Sequence, residues 1–152
     1  MHYTGMTSDE AARLRDGGRD ALGNLPERAV STGEGTPCRH CLRDVPEGRD
    51  YLILAHQPFT TSQPYAEIGP VFLCADPCPA PTGALPEVLT TSPDYLLKGY
   101  SREERIVYGT GRITPADEIA AGVGALLGRA DIAFVDIRSA RNNCWLARVR
   151  PG

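Results

Sequence analysis

Cys38-Arg39-His40-Cys41 sets two thiols two residues apart in a loop rich in glycine and proline. That spacing lets one tight loop aim both sulfurs at a single metal ion, or close one small disulfide ring. Three more cysteines follow at Cys74, Cys78 and Cys144. Zinc is the metal this chemistry favours, because it takes thiolates and imidazoles in a tetrahedron. The residues alone leave the second pair open: Cys78 with Cys144, or Cys74 with Cys78, with His40 and His56 in reserve. Four thiolates would close the site and make it structural. Three protein ligands and a water would activate that water for hydrolysis.

Two other chemistries share the C-x-x-C spacing. Covalent haem attachment needs histidine directly after the second cysteine, and Leu42 stands there. A thioredoxin-type pair needs its first cysteine at a helix N-terminus, whose field lowers the thiol pKa. Here Pro46 and Gly48 follow within a few residues, which disfavours a sustained helix. A reversible Cys38–Cys41 redox pair is therefore the weaker alternative. One feature also departs from the common zinc knuckle, which places glycine soon after the second cysteine. Reduced, buried cysteines without a metal are the plainest alternative.

A second group of residues could form a pocket. Pro64-Tyr65-Ala66-Glu67-Ile68-Gly69-Pro70 would set Tyr65 and Glu67 on one side of an extended segment. Arg138-Ser139-Ala140-Arg141-Asn142-Asn143 joins two expected strands, and its guanidiniums could clamp an anion through forked hydrogen bonds. His56 closes an apolar run. The candidate pocket is thus His56, Tyr65, Glu67, Arg138, Arg141 and Asn142. The simpler reading makes Glu67 one half of a salt bridge and the Arg/Asn segment a solvated turn. There is no G-x-S-x-G, no H-E-x-x-H and no phosphate-binding glycine loop.

These side chains need a scaffold. The chain has 152 residues, enough for one core. Its 16 Lys+Arg against 19 Asp+Glu give a net charge of -3, which argues against a nucleic-acid partner. No apolar run approaches the length that spans a bilayer, so no membrane partner is expected. The first residues lack the charged and apolar regions of a signal peptide, and a cytoplasmic location with reduced thiols is the expectation.

Residues 1–29 read as a polar arm, partly helical or flexible, with a helix start at Ser8 capped by Thr7 or Ser8. Residues 30–152 read as one α+β domain. Strands are expected at Tyr51–Ala55, Pro70–Cys74, Tyr95–Gly99, Arg105–Gly109, Ile132–Ile137 and Cys144–Val149. The third and fourth would form a hairpin across Ser101–Glu104. One main helix is expected at Pro115–Gly128. Thr114 would cap it, Pro115 would open it, and Ile119, Val123, Leu126 and Leu127 would share its apolar face. About six mostly antiparallel strands with this helix packed on one face would bury both apolar surfaces.

From Pro37 onward the chain resembles the bacterial domain of unknown function 1203 family. The segments that carry the likeness are Pro37–Arg43, Pro64–Phe72 and Ala140–Cys144. The resemblance implies cysteines at the positions of Cys38, Cys41, Cys78 and Cys144, with Cys74 outside the pattern, and so ranks that quartet first as metal ligands. Asn143 departs from the glycine expected before the last cysteine. The family name implies no activity. The expectation is a small scaffold stiffened by zinc that binds a small molecule or a protein. The rivals are a small hydrolase or cyclase, with an open metal site or the pocket above, and a thiol-redox protein.

Overall fold

The computed structural model describes residues 1–152. The fold is α+β, with eight strands in two antiparallel sheets of five and three. The elements in chain order are β1 (His2–Thr4), α1 (Ser8–Arg15), β2 (Glu27–Val30), β3 (Asp50–His56), β4 (Gly69–Cys74), β5 (Asp94–Tyr100), β6 (Arg112–Pro115), α2 (Ile119–Leu127), β7 (Phe134–Ser139) and β8 (Trp145–Arg150). The larger sheet runs β1-β8-β7-β5-β6 and the smaller β2-β3-β4.

Alternation along the strands divides the larger sheet into two unlike faces. Leu97, Val135, Ile137, Ala147 and Val149 pack with Ile119 and Val123 of α2 in the main core. Gly122 lets the helix settle, since a Cβ there would come within 3.0 Å of Leu97 Cδ1. Lys98, Tyr100, Phe134, Asp136, Arg138 and Arg148 occupy alternate positions with the opposite parity. Their cross-strand partners agree: Lys98 opposes Asp136, which opposes Arg148. This second face is charged yet buried, with Asp136 fully enclosed.

A second core lies beneath the smaller sheet, where Leu52, Leu54, Val71 and Leu73 meet Met6, Ala11, Leu14 and Val45. Three of the cysteines, Cys38, Cys41 and Cys74, belong to this core. Residues 1–29 take part in both layers. β1 pairs with β8, α1 supplies Ala11 and Leu14, and β2 pairs with β3. Thr7 caps α1 by accepting from Glu10 N. The segment after α1 is a turn built on Asp20, whose carboxylate accepts from Leu22 N, Asn24 N and Ala55 N.

Two expectations need correction. Arg105–Gly109 is not a strand: Ile106 makes one bridge to Tyr100, and the chain then turns through Gly109 at φ 85. The Thr110 hydroxyl accepts from Gly99 N at 2.9 Å, in the place of a backbone ladder partner. The strand that pairs with β5 on this side is β6. The helix also begins later than Pro115. That residue is held extended opposite Asp94, a 3₁₀ turn spans Ala116–Glu118, and the α-helix starts at Ile119. The Thr114 hydroxyl points to Arg112 O instead of capping.

Candidate metal centre and adjoining cleft

The C-x-x-C loop is a closed knuckle. Pro37 bridges Asp44, Cys38 N donates to Arg43 O at 2.9 Å, and Leu42 N donates to Cys38 O at 2.9 Å. Closing this turn forces Leu42 to φ 58, the left-handed conformation for which a knuckle usually keeps glycine. That conformation costs a leucine about 1–2 kcal/mol. Leu42 is buried in the main core, and full burial of such a side chain contributes roughly 1.5–3 kcal/mol. Burial outweighs the strain, which accounts for the absent glycine.

β4 brings the other half. Cys38 bridges Phe72 in parallel, Arg39 N donates to Phe72 O at 2.9 Å, and Cys74 N donates to Cys38 Sγ at 3.3 Å. Cys78 returns to the knuckle after the Pro77 bend, with its Sγ 3.9 Å from that of Cys38. The four sulfurs of Cys38, Cys41, Cys74 and Cys78 all lie within 4.8 Å of one another. A zinc tetrahedron with bonds of about 2.3 Å has sulfur–sulfur edges of about 3.8 Å. The cluster is therefore close to the size a metal requires.

Cys144 is not in this group. It sits at the β7–β8 turn, where its thiol donates to Asn142 O at 3.7 Å. The thiol that converges in its place is Cys74, because the parallel bridge between Cys38 and Phe72 carries the end of β4 to the knuckle.

Positive and polar donors surround the sulfurs. Arg15 Nη2 donates to Cys78 Sγ at 3.0 Å and Arg15 Nε to Cys74 O at 2.9 Å. His40 Nδ1 lies 3.1 Å from Cys78 Sγ, and its Nε2 lies 2.9 Å from Ser8 Oγ. With Nδ1–H donating to sulfur, Nε2 accepts from the serine hydroxyl. Crowding splits the acidities of the four thiols. Hydrogen bonds from Cys41 and Cys74 draw Cys38 down to about 6. Hydrogen bonds from Cys38, Cys41 and Cys74 also lower Cys78. Cys41 and Cys74 are pushed up, each by Cys38 first and also by Cys78. Adjacent thiols cannot all ionise without a counter-charge.

A family model described as "Protein of unknown function (DUF1203)" matches residues 35–150. The chain belongs to the DUF1203 family. The match takes in all five cysteines but begins after α1, so Ser8 and Arg15 lie outside it. No curated protein and no solved structure matches the chain.

In this DUF1203 member a cleft of about 350 Å³ lies at the end of β3–β4 opposite Cys74, between His56, Gly69 and the β7–β8 hairpin. His56, Glu67, Arg138, Asn142, Cys144 and Trp145 line it. A larger cleft of about 560 Å³ adjoins it across His56, Pro58 and Trp145. Arg39 connects the knuckle to both: its buried guanidinium donates to Trp145 O at 2.6 Å and to Pro37 O at 2.5 Å. Burial lowers Arg39 to about 10, which leaves it charged at neutral pH.

Four of the six pocket residues expected from sequence thus converge: His56, Glu67, Arg138 and Asn142. Tyr65 does not line this cleft; its hydroxyl meets that of Tyr108 at 3.1 Å. Arg141 pairs with Asp94 at 2.8 Å on the surface. Sequence reasoning missed Arg39, Lys98 and Trp145. A readable signal existed for the charged floor. Asp136 and Arg138 alternate with Val135 and Ile137, which marks one polar face of the strand; that this face is buried follows from the fold and not from the pattern.

His56 packs against Trp145 with the rings tilted by 50° and their centroids 5.4 Å apart, and burial lowers its pKa to about 4. The unfolded chain therefore takes up this proton near pH 6.5, and the folded chain only near 4. Stability contributed by neutral His56 is present above pH 6.5 and is lost as pH falls toward 4, by up to roughly 3 kcal/mol. Denaturant titrations at pH 7.5 and 5 check this. His56→Gln is expected to flatten the loss relative to wild type.

Proposed function

We infer that Cys38, Cys41, Cys74 and Cys78 hold one zinc ion as a closed structural site, and that this site stiffens a ligand-binding cleft. The observation that carries the reading is the convergence of four sulfurs within 4.8 Å, with three N–H groups aimed at two of them. N–H donors toward sulfur offset the two surplus negative charges of a four-thiolate zinc site. A set of four thiolates keeps no open position, which favours a structural over a hydrolytic role. A reducing compartment such as the cytoplasm would keep the thiols available as ligands.

The metal would do mechanical work. The smaller sheet has a small core, and cores of that size commonly need a staple. One ion would join the knuckle, the end of β4 and the following loop. Arg39 then transmits that rigidity to Trp145 in the cleft. The ligand in this reading is a small molecule recognised by the buried polar floor.

Elemental analysis of protein purified without chelator tests the reading. One zinc per chain is expected, and a metal-free, fully folded protein would contradict it. His40→Ala removes a donor to Cys78 and not a ligand. It is expected to weaken zinc about 10–100-fold in competition with a chromogenic chelator.

A further inference from the structure

The geometry points to the cleft between Arg138 and Trp145 as a binding site for a small organic monocarboxylate. This rests on the ligand-binding reading above and names the chemical class of the ligand.

The first observation is a pair of stranded donors. Arg138 is 6% exposed and Trp145 5%, and both line the cleft. Arg138 Nε donates to Asn143 O at 3.0 Å and Oδ1 at 2.9 Å, and Nη2 meets Glu67 Oε2 at 2.7 Å. Arg138 Nη1 and Trp145 Nε1 have no partner at all. A buried N–H left unmade costs about 1–3 kcal/mol, more for a charged group. Both atoms are enclosed, but both belong to residues that line the cleft, so a ligand seated there needs only a small side-chain shift to bring acceptors to them. A carboxylate carries two acceptor oxygens, and an arginine edge is a natural partner for it.

The second observation is the charge balance. Asp136 cancels Arg148 through bonds of 2.7 and 2.9 Å. Glu67 bridges Arg138 and Lys98, the latter at 3.4 Å, so these three groups sum to one positive charge. His56 adds none, because burial keeps it neutral. Arg39 does not line the cleft, and its charge is set against the Cys38 thiolate and Asp44 behind it. The Glu67 group thus leaves one surplus positive charge at the cleft, which matches a monoanion. A phosphate dianion would set an extra negative charge against Glu67. The third observation is the wall: the rings of His56 and Trp145, with Pro58 and Pro70, offer apolar surface to the body of the ligand.

Trp145 is the only tryptophan, so tryptophan-selective fluorescence reports on this cleft and the larger one that adjoins it. The test titrates the full chain with benzoate, benzamide and inorganic phosphate at constant ionic strength. Zinc content and melting are followed in parallel. The expected result is a saturable emission change with benzoate, and none with benzamide or phosphate over the same range. Arg138→Gln should weaken benzoate by about tenfold or more, since a charge-assisted pair is lost. If Arg138→Gln does not fold, Glu67→Gln decides, because it removes a competing negative charge and should tighten benzoate. No saturable response to benzoate, an equal response to benzamide, or tighter binding of phosphate would overturn the assignment. So would unchanged binding in a folded Arg138→Gln, or weaker binding in Glu67→Gln. Failure with zinc in place sinks the carboxylate alone, whereas absent zinc sinks the metal reading.

Discussion

Cys74→Ser is expected to abolish stoichiometric zinc and to lower the melting temperature by about 10 °C or more, while Cys144→Ser leaves both unchanged. The contrast follows from placement. Cys74 Sγ lies within 4.8 Å of three other sulfurs, and its backbone N–H also donates to Cys38 Sγ. Cys144 is on the hairpin turn with a carbonyl as its partner. Structural zinc contributes apparent binding free energies on the order of 10 kcal/mol, comparable with the whole stability of a domain. A serine hydroxyl replaces a thiolate poorly, so most of that is at risk. Elemental analysis and calorimetry of the two variants check it. Loss of zinc in Cys144→Ser with retention in Cys74→Ser would restore the quartet that the family pattern implies.

Asp136→Asn is expected to destabilise the fold by about 3–5 kcal/mol in urea unfolding. Asp136 is fully buried and is gripped by both Nε and Nη2 of Arg148. That guanidinium is itself wedged against the Phe134 ring, 3.8 Å from the centroid. Neutralising the acid leaves an arginine charge in the interior with no counter-ion. Replacing both partners removes the desolvation cost together with the attraction. Asp136→Leu with Arg148→Met should therefore recover most of the loss. If the double variant is as unstable as the single one, the cost lies in packing and not in an unpaired charge.

The strands of both sheets were legible where apolar runs stop at proline or glycine. Tyr51–Ala55 before Pro58, and Pro70–Cys74 before Pro77, are extended in the fold as their patterns indicate. His2–Thr4 and Glu27–Val30 carry no such pattern. They are strands because an edge of β8 and an edge of β3 accept them. Local spacing identified the C-x-x-C pair, but it could not choose Cys74 over Cys144. That choice depends on a parallel bridge between Cys38 and Phe72, a contact between distant segments. The Leu42 conformation was hidden for a related reason: a core formed elsewhere in the chain stabilises a turn that looks wrong locally.

The cleft shows the same division. His56, Glu67, Arg138 and Asn142 were singled out by residue type, and strand pairing brings them together. Tyr65 and Arg141 carried equally suggestive chemistry, yet they found partners elsewhere in Tyr108 and Asp94. Trp145 gained its importance from a β-bulge. The pairing shifts between Ile137 and Arg138, which sets Trp145 opposite Arg138 at the cleft. No sequence pattern marks such a shift.

X-ray absorption at the zinc edge of the purified protein tests the central claim most directly. The account predicts four sulfur neighbours at about 2.3 Å and no nitrogen or oxygen in the shell. A shell of three sulfurs with one light atom, or no bound zinc, would contradict it.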